Sequence, residues 1–137
     1  MDGSIMAGTV KADVLQSEQS TPTVFRNTSG TEIGQLTKAW CNYNGLTPIV
    51  NGSFNVSSVT RNGTGDYTNN LTTSVSNSNY CIGSSVGDTS SNLADDDGGA
   101  HPYILATSSY RFYSGYGLSS GNIQFYNYTL VHTLLVG

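Results

Sequence analysis

The stretch "SVTRNGTGDYTNNLT", Ser58 to Thr72, reads as a strand, a break and a second strand. Val59 precedes Asn62-Gly63-Thr64-Gly65, and Asp66-Tyr67-Thr68 follows. Two glycines within four residues demand a sharp reversal of the backbone. A phosphate-binding loop would need Lys and then Ser or Thr after its last glycine, and it would open a helix. Here Asp66 follows Gly65, its charge would repel phosphate, and the flank alternates like a strand. As a hairpin corner the stretch makes sense. Asn62-Gly63 is expected to supply the positive φ values of a tight turn, with Asp66 accepting backbone N–H bonds inside it. The turn is therefore read as structural.

The same alternation extends outward along the chain. No window carries apolar residues at helical spacing behind a cap, whereas Thr, Val, Tyr and Ile alternate with Ser and Asn between Gly and Asn breaks. Strands are expected at 9–15, 23–27, 36–43, 49–60, 66–73, 80–86, 103–112 and 122–136, which makes the chain all-β. The last of these is apolar on both parities. Ile123, Phe125, Val131 and Leu135 lie on one, and Tyr126, Tyr128, Leu130, Leu134 and Val136 on the other. A strand covered on both faces lies between two sheets, or between its own sheet and a neighbouring subunit.

The 137 residues suffice for one domain. Residues 1–5 resemble a vector remnant ahead of a start at Met6 and are set aside. Residues 6–35 offer only Val10, Val14, Leu15, Val24, Phe25 and Ile33 as core candidates. They are read as an N-terminal arm for oligomerisation or attachment, with 36–137 as the head. An arm too poor in apolar groups to fold alone points to an oligomer.

Composition narrows the function. Charged residues are only 10% of the chain, the formal net charge is -4, and the five Lys and Arg are dispersed, so nucleic acid is not an expected partner. No apolar run approaches the ~20 residues that cross a membrane, and no charged-then-apolar leader is evident. Cys41 and Cys81 sit in hydrophobic stretches and are read as buried free thiols, with a disulfide between them as the alternative, at a separation that suits no zinc site.

Catalytic signals are sparse. Asp95-Asp96-Asp97-Gly98 has the oxygen ligands calcium favours, but not the wider spacing or distal Glu of an EF-hand, so a solvated acidic loop is expected. His101 and His132 have no ligand-spaced partner and are read as packed or surface imidazoles. Nothing points to a Ser-His-Asp arrangement, and nothing pairs two carboxylates across a cleft. The sequons, such as those at Asn27, Asn55, Asn62 and Asn127, read as by-products of an Asn/Ser/Thr-rich composition. No catalytic residue, metal or cofactor is expected.

The functional hint lies in residues 87–121, where tyrosines are embedded in Ser and Gly. Such rings give rigid contact area at low entropic cost. Tyr103 and Phe112 are read as core. Tyr110, Tyr113 and Tyr116 are read as one set, with Tyr110 facing away from Phe112. Together with Asp95, Asp96, Asp97 and His101 they form the candidate ligand-binding residues, and Tyr113 and Tyr116 are expected to be exposed.

Residues 38–80 also carry a resemblance. "KAWCNYNG", "GSFNVSSVTRNGTGDYTNNLTT" and "NYCIG" are similar to a module of short tail-fibre-like proteins of tailed bacteriophages, the marine versions above all. The matching positions are Lys38, Ala39, Trp40, Asn42, Ser53 to Ser58, Thr60, Asn62 to Thr68, Asn79 and Tyr80, while "TVKADVLQS" and the apolar C-terminal run match more loosely. Cys41 and Tyr43 depart from the pattern in ways that suit a core. Asn69 and Leu71 stand where it prefers Val and Phe, so that strand is expected to be less buried. The resemblance implies a homotrimeric antiparallel β-sandwich, jelly-roll-like, on a virion, with no catalytic residues. Its partners would be itself, other virion proteins through the arm, and a host-surface glycan or protein. The alternative role is a capsid-attached trimeric decoration spike.

Overall fold

The computed structural model describes residues 24–88, 98–118 and 120–137. All regular structure among them is antiparallel β, with no helix. The expected strand at 9–15 lies outside the described residues. The chain divides into two units, Met1–Gln35 and Leu36–Gly137. In the first, β1 (Val24–Arg26) pairs with β2 (Glu32–Gln35), a strand the sequence did not announce. Its loop is organised by Asn27, whose Oδ1 accepts the Ser29 and Thr31 amides, and Gly30 supplies a positive φ.

The second unit holds two sheets. The four-stranded sheet runs in the order β4 (Ile49–Phe54), β3 (Thr37–Asn44), β11 (Leu130–Val136), β7 (Cys81–Gly87). The five-stranded sheet curls into a half-barrel. Its path is β10 (Ile123–Phe125), β9 (Ser109–Gly117), β6 (Asp66–Leu71), β5 (Val56–Gly63), with β8 (Gly98–Leu105) also paired to β9. Period-two alternation sets the faces. Ala39, Cys41 and Tyr43 of β3, and Val131, Thr133 and Leu135 of β11, point inward. They meet Tyr67 and Asn69 of β6 and Tyr110 and Phe112 of β9. Tyr43 contacts Tyr67 edge-on at 5.5 Å and Phe112 at 6.4 Å between centroids, so aromatic rings join the two sheets. Desolvation pushes the Cys41 thiol up to about 11 and the Tyr67 hydroxyl up to about 12, which keeps both neutral.

Several expectations are corrected. The run 122–136 is not one strand: β10 joins the five-stranded sheet, β11 the four-stranded one, and residues 126–129 carry the chain between them. The run 49–60 breaks likewise at Asn55, which has φ 54°. Residues 103–112 form two strands of a hairpin. β6 is buried rather than peripheral. Asn69 is fully enclosed, and its Nδ2 donates to the Tyr110 hydroxyl at 2.8 Å and to Thr133 Oγ1 at 2.9 Å. An amide thus replaces an aliphatic group by joining a polar cluster that bridges the sheets. Cys81 is exposed on the outer parity of β7; both thiols are free.

The corner at residues 62–66 is structural, but its chemistry differs from expectation. Positive φ falls on Gly65 (+64°), not on Asn62 or Gly63. Gly65 is buried: its amide donates to Asn127 Oδ1 at 2.7 Å and its carbonyl accepts from the Ser114 amide at 2.6 Å. A Cβ there would collide with the Ser114 carbonyl, whereas at Gly63 it would meet nothing. The glycine is required by close backbone approach as well as by φ.

Candidate functional site: the outer face of the five-stranded sheet

On β9 the residues alternating with the core set are Arg111 and Tyr113, and they face outward. β6 presents Asp66 and Thr68 beside them, β5 presents Asn62, and β8 presents His101 opposite Tyr113 and Tyr103 at a bulge. β10 adds Phe125.

These residues form a connected array. Arg111 grips Asp66 with both donors, Nε to Oδ1 at 2.8 Å and Nη2 to Oδ2 at 2.5 Å. Asn62 Nδ2 and the Tyr103 hydroxyl each reach Oδ1 at 3.3 Å. The Arg111 hydrogen bond is the main reason that the Asp66 carboxyl is held below the usual carboxylate range. The same guanidinium lies over the Tyr103 ring, 5.3 Å from its centroid. Tyr103 in turn stacks on Tyr113 at 4.0 Å with planes 1° apart, and Tyr113 meets Phe125 at 4.9 Å. The order is therefore Arg111, Tyr103, Tyr113, Phe125. Both neighbours of Tyr113 cover its faces, so the stack offers edges along its length and a ring at the Phe125 end, where Phe125 is 41% exposed.

The expected binding residues fare differently. Tyr113 is on this face, half-buried within the stack, and His101 is exposed next to it. Tyr110 is not: it is fully buried, on the same parity as Phe112, because residues two apart on a strand share a face. Tyr103, expected in the core, is 38% exposed and part of the site. Tyr116 belongs to a different cluster, packing at 6.0 Å against Tyr126. Asp95, Asp96 and Asp97 lie outside the described residues, as does any calcium loop they would form. Sequence reading missed Tyr103, Phe125, Arg111 and Asp66 as one group. The signal was present in the alternation of Tyr110, Phe112 and Ser114 against Arg111 and Tyr113.

Chemically the array is a hydrogen-bonded ion pair continued by stacked rings. Its carboxylate is neutralised by a bidentate guanidinium, and among the described residues no second acid stands with it. Among the described residues no group of three or more His, Cys, Asp or Glu is placed to hold a metal. A scan against protein-family profiles, a search of curated proteins and a search of solved structures each found no match.

Proposed function

We propose that the chain is a non-enzymatic bacteriophage virion protein of the tail-fibre type, whose sandwich-like, jelly-roll-related head binds a host-surface glycan or protein. The observation that carries the binding role is the Arg111–Tyr103–Tyr113–Phe125 stack tied to Asp66. A chain with few charges places a charge pair and three aromatic rings together on an outer sheet face that the core does not need. Aromatic edges beside fixed Asn, Asp and Arg groups suit a sugar, whose ring has apolar C–H faces and polar hydroxyls. The phage assignment rests on the resemblance of residues 38–80 and is consistent with an all-β antiparallel chain.

The reading includes a homotrimer. On the outer face of the four-stranded sheet, Phe54, Trp40 and Leu134 are direct cross-strand neighbours and are 54%, 41% and 43% exposed. Together they leave on the order of 300 Å² of contiguous apolar surface in water, comparable to the largest patch a typical monomer exposes, and this is the surface offered to a neighbouring copy. The next row, Gly52, Asn42, His132 and Ser85, carries no carboxylate. A neutral apolar row of this kind matches a second copy of itself better than a charged partner. Residues 6–35 would attach the trimer to other virion proteins.

Antibody labelling of particles of the encoding phage tests the assignment. Label at the tail is the expected result. Label on the capsid face would instead support the decoration spike, and particles free of label would overturn both.

A further inference from the structure

Three Asn-Gly pairs occur in the chain, at Asn44, Asn51 and Asn62. Glycine leaves its own amide nitrogen unhindered, so that nitrogen can reach the side-chain amide before it, a reaction behind the thermal lability of asparagine. The fold treats the three pairs differently. Asn44 is locked. Its Oδ1 accepts the Leu46 amide at 2.9 Å and the Thr47 amide at 3.3 Å. Gly45 is buried and its amide donates to the Tyr128 carbonyl at 2.9 Å, so moving that nitrogen would break a buried hydrogen bond. Asn51 and Asn62 each stand at a register shift on an edge strand. Around Asn51, however, the ladder continues on both sides, and the Trp40 ring packs on Gly52, 3.3 Å from where a Cβ would stand. Asn62 is exposed at the end of its ladder, where only the Gly63–Asp66 pair remains before the turn. A Cβ on Gly63 would meet nothing. The Asn62 amide donates to Thr68 Oγ1 at 2.9 Å and to Asp66 Oδ1 at 3.3 Å. Both bonds are exposed, so water replaces them when the side chain turns.

We propose that Asn62 is a self-modification site that converts to aspartate and isoaspartate without an enzyme. The Gly63 nitrogen attacks Asn62 Cγ and gives up its proton. The Cγ–Nδ2 bond breaks, and Nδ2 leaves with that proton as ammonia. Water then opens the resulting succinimide at either of its carbonyls, and the Gly63 nitrogen regains a proton. The product is a carboxylate where a donor stood. It faces Asp66, whose own charge is balanced by Arg111, so the array passes from neutral to net negative. Conversion therefore resets the charge of this face with time. The chemical step stands without the receptor reading; only its effect on ligand binding rests on that reading.

The test is incubation of the whole folded chain in mildly alkaline heavy-oxygen water, then digestion in ordinary water and mass spectrometry. Trypsin cuts after Arg61 and so separates Asn62 from Asn44 and Asn51. Asn62 should gain heavy oxygen faster than Asn44 by about tenfold or more, because Asn44 reacts only from locally opened molecules. Asn51 should fall between them, and in urea the three rates should converge. Gly63→Ala places its methyl in open space and should fold as the wild type does. It should convert more slowly by about tenfold or more, since a Cβ beside the nitrogen hinders ring closure. Asn62→Asp stands for the α-linked product. NMR should show Asp66 taking up its proton at higher pH in that variant, through like-charge repulsion. Asn62 that keeps its amide in the folded chain while converting in urea would overturn the proposal. So would conversion of Asn44 or Asn51 as fast as Asn62, or of Gly63→Ala as fast as wild type. An Asp66 titration unchanged by Asn62→Asp would overturn the change of charge at the array.

Discussion

Gly65 and Gly63 sit two residues apart in the corner, yet they differ in every respect that matters to stability. Gly65→Ala forces a side chain into positive φ and against the Ser114 carbonyl. It should cost about 2 kcal/mol or more, combining backbone strain with a clash that no rotamer relieves. Gly63→Ala meets nothing and should stay within about 0.5 kcal/mol of wild type. Urea denaturation of both variants checks the contrast; equal losses would mean that the corner is not held at Gly65. The Asn-Gly pair in the sequence drew attention to the wrong glycine. Pairing chemistry is local, whereas the demand on Gly65 comes from β9 and Asn127, remote in sequence. Asp66 offers a second test at this scale. Its folded-state carboxyl is depressed, first by Arg111, so the pair stabilises the fold above the unfolded carboxylate value. That contribution disappears as pH falls through the folded value. Asp66→Asn should therefore cost about 1 kcal/mol at pH 7, a modest figure because Arg111 is partly exposed. The gap between variant and wild type should narrow as pH falls below about 4, the unfolded carboxylate value. A gap that does not narrow on acidification would assign the loss to packing instead.

At the scale of elements, two asparagines mark two of the points where the chain changes sheets. Asn55 separates β4 from β5, and its side chain bonds the Lys38 carbonyl at 3.0 Å, the Thr73 carbonyl at 3.0 Å and the Thr73 amide at 2.8 Å. Asn127 separates β10 from β11 and accepts from Gly65 and from the Tyr67 hydroxyl at 2.6 Å. These corners explain what was legible in the sequence and what was not. Strand character at 36–43, 66–73 and 80–86 could be read from alternation alone. The runs 49–60 and 122–136 looked continuous because both halves of each alternate, and one left-handed Asn carries no pattern of its own. The core parity of β9 is readable at the strand period of two, which separates Tyr113 from Tyr110 and Phe112, whereas the spacing of three that links Tyr110, Tyr113 and Tyr116 does not keep to one face. Asn55→Ala removes three hydrogen bonds and strains a positive φ, and should cost about 3 kcal/mol. Asn55→Gly keeps the φ and loses the bonds, so it should cost less. Thermal melting gives the order, and an Ala variant more stable than the Gly variant would contradict the role of φ at this corner.

For the whole molecule, the apolar row Phe54–Trp40–Leu134 and the stack beginning at Arg111 lie on the outer faces of different sheets, so the proposed assembly and the proposed recognition need not compete. Sedimentation should show wild-type protein at three times the 14.5 kDa chain mass. Leu134→Glu, exposed in a single chain, should fall to the mass of one chain without losing its fold. A wild-type protein that is monomeric at micromolar concentration would remove the trimer from the account. The most direct test of the recognition role is a glycan array probed with wild type and Phe125→Ala, with melting recorded alongside. Phe125 is the exposed end of the stack, so its truncation should leave melting nearly unchanged. Wild type is predicted to bind a discrete set of glycans, and the variant to lose about tenfold or more on that set. Retention of the same glycans at the same strength by a folded Phe125→Ala protein would contradict the claim that this face reads the host surface.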